Sequence, residues 1–154
     1  MLQEGDKVPD VALTAMDGKS FSPTDFSGQK VVIYFYPKDD TTGCTREAQD
    51  FTTLAGAFEK EGTWILGISK DSPARHRKFT DKYGLKVRLA SDETGAVCEA
   101  FGTWIEKSMY GRNYMGIDRS TFLVNRDGVI SRIWRKVKVA GHAEEVLAAA
   151  AALP

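Results

Sequence analysis

The chain has 154 residues, the size of one ordinary domain, with 42% apolar and 27% charged residues, close to the averages of soluble globular proteins. That composition argues against a long disordered tail or a fibrous architecture, and residues 1–154 are expected to form a single domain. Twenty-one Lys plus Arg balance twenty-one Asp plus Glu, so no basic excess is left to neutralise phosphates, and nucleic acid is not expected as a partner. No apolar stretch reaches the roughly 18 residues of a membrane-spanning helix, and the N-terminus lacks a basic run followed by an apolar one. No membrane partner and a cytoplasmic location are the expectation.

In chain order, residues 1–30 alternate short apolar pieces (Val8, Val11, Leu13) with turn chemistry at Asp17-Gly18 and Ser27-Gly28, which predicts a hairpin-like start with little helix. Val31 to Tyr36 is an unbroken run of β-formers, the pattern of a central parallel strand covered on both faces, and Pro37 stops its ladder. After the polar loop Lys38 to Gly43, apolar residues recur at Cys44, Ala48, Phe51, Ala55 and Phe58, spacings that predict one helix ended by Gly62. Trp64 to Ile68 reads as a strand, and Ser72-Pro73 opens a helix that Gly84 closes. Val87 to Ala90 is a short strand. Asp92 can cap a short helix in which Val97, Cys98 and Phe101 share a face before Gly102. Ser120 to Val124 and Val129 to Trp134 flank the turn sequence Asn125-Arg126-Asp127-Gly128 and read as an antiparallel hairpin, and His142 to Leu153 is an Ala-rich terminal helix. Strand and helix alternating, then a hairpin and a closing helix, argue for an α/β fold with a mixed central sheet and helices on both faces; the pattern resembles the thioredoxin fold.

Two cysteines, Cys44 and Cys98, are too few for a disulfide scaffold and too far apart for a common zinc pattern. His76 and His142 are isolated from any other ligand, and two surface histidines are expected, with no metal and no cofactor. Cys44 stands out because it falls where a helix begins. The unpaired N–H groups and the positive dipole end of a first turn stabilise a thiolate, the reactive form of cysteine. Gly43 lets the backbone approach a small substrate, and Thr41 can aim a hydroxyl at the same point or serve as an N-cap. The plainer alternative is that Cys44 simply opens the apolar stripe, but Thr-Thr-Gly-Cys-Thr is an odd start for a core, and chemistry is favoured.

The run Tyr36 to Glu47 resembles the Pro-x-x-x-Thr-x-x-Cys signature of the peroxiredoxins. Met109-Tyr110-Gly111 and Gly116 to Leu123 are similar to the bacterioferritin comigratory protein, or peroxiredoxin Q, branch. The resemblance spans nearly the whole chain and implies a thiol-dependent peroxidase. By that resemblance Cys44 would attack a hydroperoxide and become a sulfenic acid, Arg119 would stabilise the thiolate and polarise the peroxide, Thr41 would bind the attacked peroxide, and Pro37 would shield the cysteine. Taken without the family, Arg119 reads as a solvated residue before a strand. Glu47, three residues past Cys44, either orients an arginine or is an ordinary first-turn acid.

Many members of that branch carry a second, resolving cysteine five residues after the first, where this chain has Gln49; others carry it in the next helix, which here has none. Cys98 is the one remaining thiol. A packed core residue is the better reading of it than a resolving partner, because a disulfide needs Cα atoms within about 7 Å. The expectation is a one-cysteine cycle in which the sulfenic acid waits for thioredoxin, glutaredoxin or a small thiol, the protein acting as a monomer. The alternatives are a two-cysteine cycle through Cys98, or a thioredoxin-like redox sensor or binding module. A disulfide reductase is disfavoured, because the first position of a Cys-x-x-Cys pair is Thr41.

Overall fold

The computed structural model describes residues 1–154. Its strands are β1 (Leu13–Ala15), β2 (Ser20–Phe21), β3 (Lys30–Phe35), β4 (Thr63–Ser69), β5 (Arg88–Ser91), β6 (Trp104–Met109), β7 (Arg112–Ile117), β8 (Ser120–Val124) and β9 (Ile130–Trp134). Its helices are α1 (Thr42–Thr53), α2 (Ala55–Lys60), α3 (Pro73–Tyr83), α4 (Ala96–Ala100) and α5 (His142–Ala152), with a short 3-10 helix at Pro23–Phe26.

Every residue of β3 is buried, as its unbroken apolar run requires, and it lies near the middle of a seven-stranded sheet of order β2-β1-β5-β4-β3-β8-β9. It runs parallel to β4 and antiparallel to β8, so the strand expected to be parallel is parallel along one edge only. Alternation along β3 divides the core. Val32, Tyr34 and Tyr36 pack on one side with Cys44, Phe51, Phe58, Phe79 and Val146 from α1, α2, α3 and α5. Val31, Ile33 and Phe35 pack on the other with Val97, Cys98 and Phe101, in and just after α4. Helices cover both faces, four on one and one on the other.

Ser72 caps α3 by accepting from the Arg75 N–H, and Gly84 ends it in the left-handed region at φ 60°. The apolar stripe from Cys44 to Phe58 belongs to two helices rather than the one its spacing predicts. The break falls at Leu54 (φ −97°, ψ 4°), after Thr52 and Thr53, two β-branched residues with poor helix propensity. The Thr53 hydroxyl donates to the Gln49 carbonyl one turn back, a bond that bends helices.

The β6–β7 hairpin was not expected. Its strands read polar and charged because they form a separate two-stranded sheet with few buried side chains. Its turn, Tyr110 (φ 51°) and Gly111 (φ 77°), has the two positive φ angles of a type I′ connection. Neither histidine lies at the surface: His76 is 0% and His142 5% exposed. Each ring is satisfied inside by an oxygen partner, which removes the penalty that makes isolated histidines prefer water. No helix is long and apolar enough to cross a membrane.

Candidate active site

The loop after β3 delivers Cys44 to the third position of α1. Thr41 occupies the N-cap in an extended conformation, and the first helical hydrogen bond runs from Thr45 N to Thr41 O at 2.9 Å. Cys44 therefore sits in the turn whose N–H groups have no helical acceptor, its side chain 2% exposed. The Thr41 hydroxyl does not cap the helix. It turns to the Lys38 carbonyl and donates to it at 2.9 Å.

Arg119 lies between β7 and β8, 75 residues further along the chain. β8 pairs with β3, which returns Arg119 to the start of α1. Its Nη2 donates to Cys44 Sγ at 3.4 Å and its Nη1 to Glu47 Oε1 at 2.7 Å. Arg119 is thus not the solvated residue that its sequence context implied; its side chain is 18% exposed and held on two sides. Gly43 makes room for it, since a Cβ there would stand 3.2 Å from Nη2. Pro37 follows β3 as an exposed residue.

Glu47 is 1% exposed, and burial pushes its carboxyl up to about 7 against the opposing pull of Arg119. Its second oxygen, Oε2, is buried without a partner, as is the Tyr34 hydroxyl on β3. Burial raises Tyr34 well above the usual phenol range, and Glu47 and Cys44 add to that. For Arg119, burial works toward deprotonation but is outweighed by Glu47 and Cys44, so the guanidinium stays charged.

Cys98 lies elsewhere. It belongs to the core layer on the face of the sheet opposite that of Cys44, and both thiols are free. Burial, then Asp92, pushes its thiol up to about 12, and Asp92 also accepts from its backbone N–H at 2.8 Å. No three His, Cys, Asp or Glu side chains are grouped to hold a metal ion. Two surface cavities, of about 490 and 540 Å³, lie away from Cys44 and Arg119.

Sequence reasoning missed the residues behind the loop. His76 Nδ1 lies 2.7 Å from Asp39 Oδ2 and its Nε2 3.0 Å from the Ala90 carbonyl, while Tyr36 donates to Asp39 Oδ1 at 2.5 Å. The spacing His76, Phe79, Tyr83 on α3 was the available signal, placing His76 on a buried stripe.

A mixed sheet with a thiol at a helix N-terminus and a guanidinium beside it is the arrangement of a thioredoxin-like thiol enzyme. The AhpC/TSA family profile matches residues 4–133. A putative peroxiredoxin bcp of Coxiella burnetii is 46% identical over 146 residues, covering 95% of this chain and 97% of that protein. Peroxiredoxin Bcp of Xanthomonas campestris is 48% identical over 140 residues, 91% of this chain and 88% of the relative. Among solved structures, the bacterioferritin comigratory protein of Xanthomonas campestris, studied for alkyl peroxide reduction in trapped intermediate/ligand complexes, superposes with a TM-score of 0.89 at 44% identity, covering 96% of this chain and 98% of that one. The chain belongs to the AhpC/TSA family, in its Bcp/peroxiredoxin Q group, and is a thioredoxin-like thiol peroxidase that reduces hydroperoxides with electrons from a thiol.

Proposed function

We propose that Cys44 is the sulfur that meets the peroxide, with Arg119 and Thr41 completing the site, in a one-cysteine cycle. The contact that carries this reading is Arg119 Nη2 to Cys44 Sγ at 3.4 Å. A fixed positive charge there favours the thiolate, and the same group stabilises charge that develops as the O–O bond breaks. The thiolate attacks one peroxide oxygen and the O–O bond cleaves. The released alkoxide or hydroxide takes a proton and leaves as alcohol or water, and Cys44 is left as S–OH. The Thr41 hydroxyl hydrogen is committed to Lys38, so Thr41 meets the substrate O–H as an acceptor. Gly43 keeps the guanidinium at the thiol, Glu47 orients it, and Pro37 borders the entrance. Hydrogen peroxide and organic hydroperoxides are the substrates, the latter supported by the alkyl peroxide reduction of the Xanthomonas relative.

An external thiol then attacks the sulfenic sulfur, releasing water and forming a mixed disulfide, and a second thiol releases Cys44. Thioredoxin, glutaredoxin or a small thiol supplies these, in the cytoplasm, to a monomeric enzyme. The support for an external reductant is the position of Cys98 across the sheet with its thiol pushed up to about 12, since the thiolate is the attacking form.

Intact-mass analysis after one equivalent of hydrogen peroxide tests both halves. Cys44→Ser is expected to abolish peroxide consumption, and Cys98→Ser to keep most of it. A gain of one oxygen on the wild type, trapped by a sulfenic-acid reagent, is expected; loss of two hydrogens would replace this cycle with a Cys44–Cys98 disulfide.

A further inference from the structure

The segment joining β3 to α1 is held from outside itself. Thr41 Oγ1 donates to the Lys38 carbonyl, and the other side of the same peptide unit, Asp39 N–H, donates to Asp71 Oδ2 at 2.9 Å. Asp71 is fixed in turn by Ser69 Oγ at 2.7 Å and Arg75 Nε at 3.1 Å. The next residue, Asp40, sits at φ 60° and is clamped by Lys82 at 2.7 Å and Tyr83 at 2.6 Å, both from α3.

The Asp39 side chain turns inward to the third clamp. It is 4% exposed, accepts from Tyr36, and lies 2.7 Å from His76 Nδ1. The Ala90 carbonyl can only accept, so His76 Nε2 donates to it, and Nδ1 faces Asp39 Oδ2 across 2.7 Å. A histidine on the buried face of α3 beside Phe79 is an expensive choice for packing alone, because an apolar residue there needs no partner. What the polar set adds is a rigid attachment between α3 and the loop that ends at Thr41.

We infer that His76, acting through Asp39, is a positioning residue for the peroxide site: it fixes the Lys38–Asp39 peptide so that the Lys38 carbonyl holds the Thr41 hydrogen and the Thr41 oxygen stays free to accept from a hydroperoxide. The inference rests on the reading of Cys44 and Thr41 given above. It separates two reactivities of Cys44. The thiolate depends on Arg119 and the start of α1, which His76 does not touch, whereas peroxide reduction needs Thr41 as well.

The test compares His76→Phe, Asp39→Ala and the double variant, each checked for native fold by near-ultraviolet circular dichroism. The rates read are those of Cys44 oxidation by hydrogen peroxide and of Cys44 alkylation by iodoacetamide. Misplacement of a substrate-binding group predicts oxidation slowed roughly tenfold to a hundredfold in His76→Phe. Alkylation is expected to stay within about twofold, because ground-state thiolate is untouched. The double variant is expected to be no slower than the slower single one, since both act through one connection. Oxidation at the wild-type rate in folded His76→Phe overturns the inference, as does an equal loss of both reactivities. Should His76→Phe fail to fold, Asp39→Ala, which removes both side-chain bonds and keeps the backbone N–H to Asp71, decides in the same way: slower oxidation with normal alkylation supports positioning, and unchanged oxidation overturns it. Cys44→Ser measured alongside keeps the two readings apart, because peroxide consumption by that variant would refute the site itself whatever His76 does.

Discussion

Arg119 donates from one nitrogen to Glu47 and from the other to Cys44, so its planar fork spans both groups at once. Lysine keeps the charge but has no fork. Removing one pre-organised donor to a developing anion costs roughly a hundredfold to a thousandfold in rate, so Arg119→Ala is expected to slow Cys44 oxidation by about that factor and Arg119→Lys by at least about tenfold. Stopped-flow tryptophan fluorescence reads this directly, and an unchanged second-order rate in Arg119→Ala would remove it from the site. Glu47 makes a separate prediction through pH. Its carboxyl titrates at about 7 in the fold against a reference of 4.5, so between these values the native state binds more protons than the unfolded one. Stability from this group is therefore fully present below pH 4.5 and is lost as pH rises through 7, a change on the order of 3 kcal/mol. Glu47→Gln lacks that loss and is expected to gain on the wild type between pH 5 and pH 8 in urea unfolding. An identical difference at both pH values would refute it. The sequence made Cys44 visible through its place at a helix start. Arg119 became visible through family resemblance alone, because the strand pairing that returns it to Cys44 spans 75 residues and leaves no local trace.

At the scale of elements, periodicity revealed what was buried on a single face or on both. β3, β4, α3, the β8–β9 hairpin and α5 lie close to where apolar spacing and turn residues put them. The β6–β7 hairpin escaped because its exposed strands carry no apolar alternation, and the division of α1 from α2 escaped because the apolar stripe continues across the break. Helix α4 shows a further limit of propensity. Five residues are too few for a helix to persist alone, and Asp92, at the end of β5, holds this one by accepting from Val97 N at 3.1 Å and Cys98 N at 2.8 Å. Asp92→Ala leaves two buried N–H groups without partners, and a loss of about 3 kcal/mol is expected on unfolding in urea. Because Asp92 also helps raise the Cys98 thiol, the same variant is expected to bring Cys98 down from about 12 and to speed its alkylation in the folded protein. A variant as stable as wild type, with Cys98 equally inert, would show that α4 stands without the cap.

At the scale of the molecule, the sheet separates the two cysteines: Cys44 lies in the layer of α1, α2, α3 and α5, and Cys98 in the layer of α4. Helix α5 closes the first layer through Ala143, Val146 and Ala150, and one buried cation ties its C-terminus to β3. Lys30, the first residue of β3, is 2% exposed and donates from Nζ to the Ala150 carbonyl at 2.7 Å and the Leu153 carbonyl at 2.8 Å. These carbonyls belong to the C-terminal end of α5, where Ala150 also accepts from the Leu153 N–H, and a positive charge there is favoured by the dipole and by direct hydrogen bonding. Lys30→Met keeps the apolar stem and removes both bonds. With charge-assisted bonds worth about 1.5–3 kcal/mol each and part of that regained because the ammonium no longer has to be desolvated, a net loss of roughly 2–3 kcal/mol is expected. The loss should be local before it is global. Amide hydrogen exchange is expected to quicken first toward the end of α5, around Ala149 to Ala152, while exchange in β3 and β4 follows the smaller change in global stability. Peroxide reduction should stay within about twofold of wild type, since α1 and Arg119 do not touch Lys30. Exchange that quickened evenly over the whole sheet, or activity that fell with the stability, would mean that α5 is held by its apolar face and that Lys30 anchors nothing in particular.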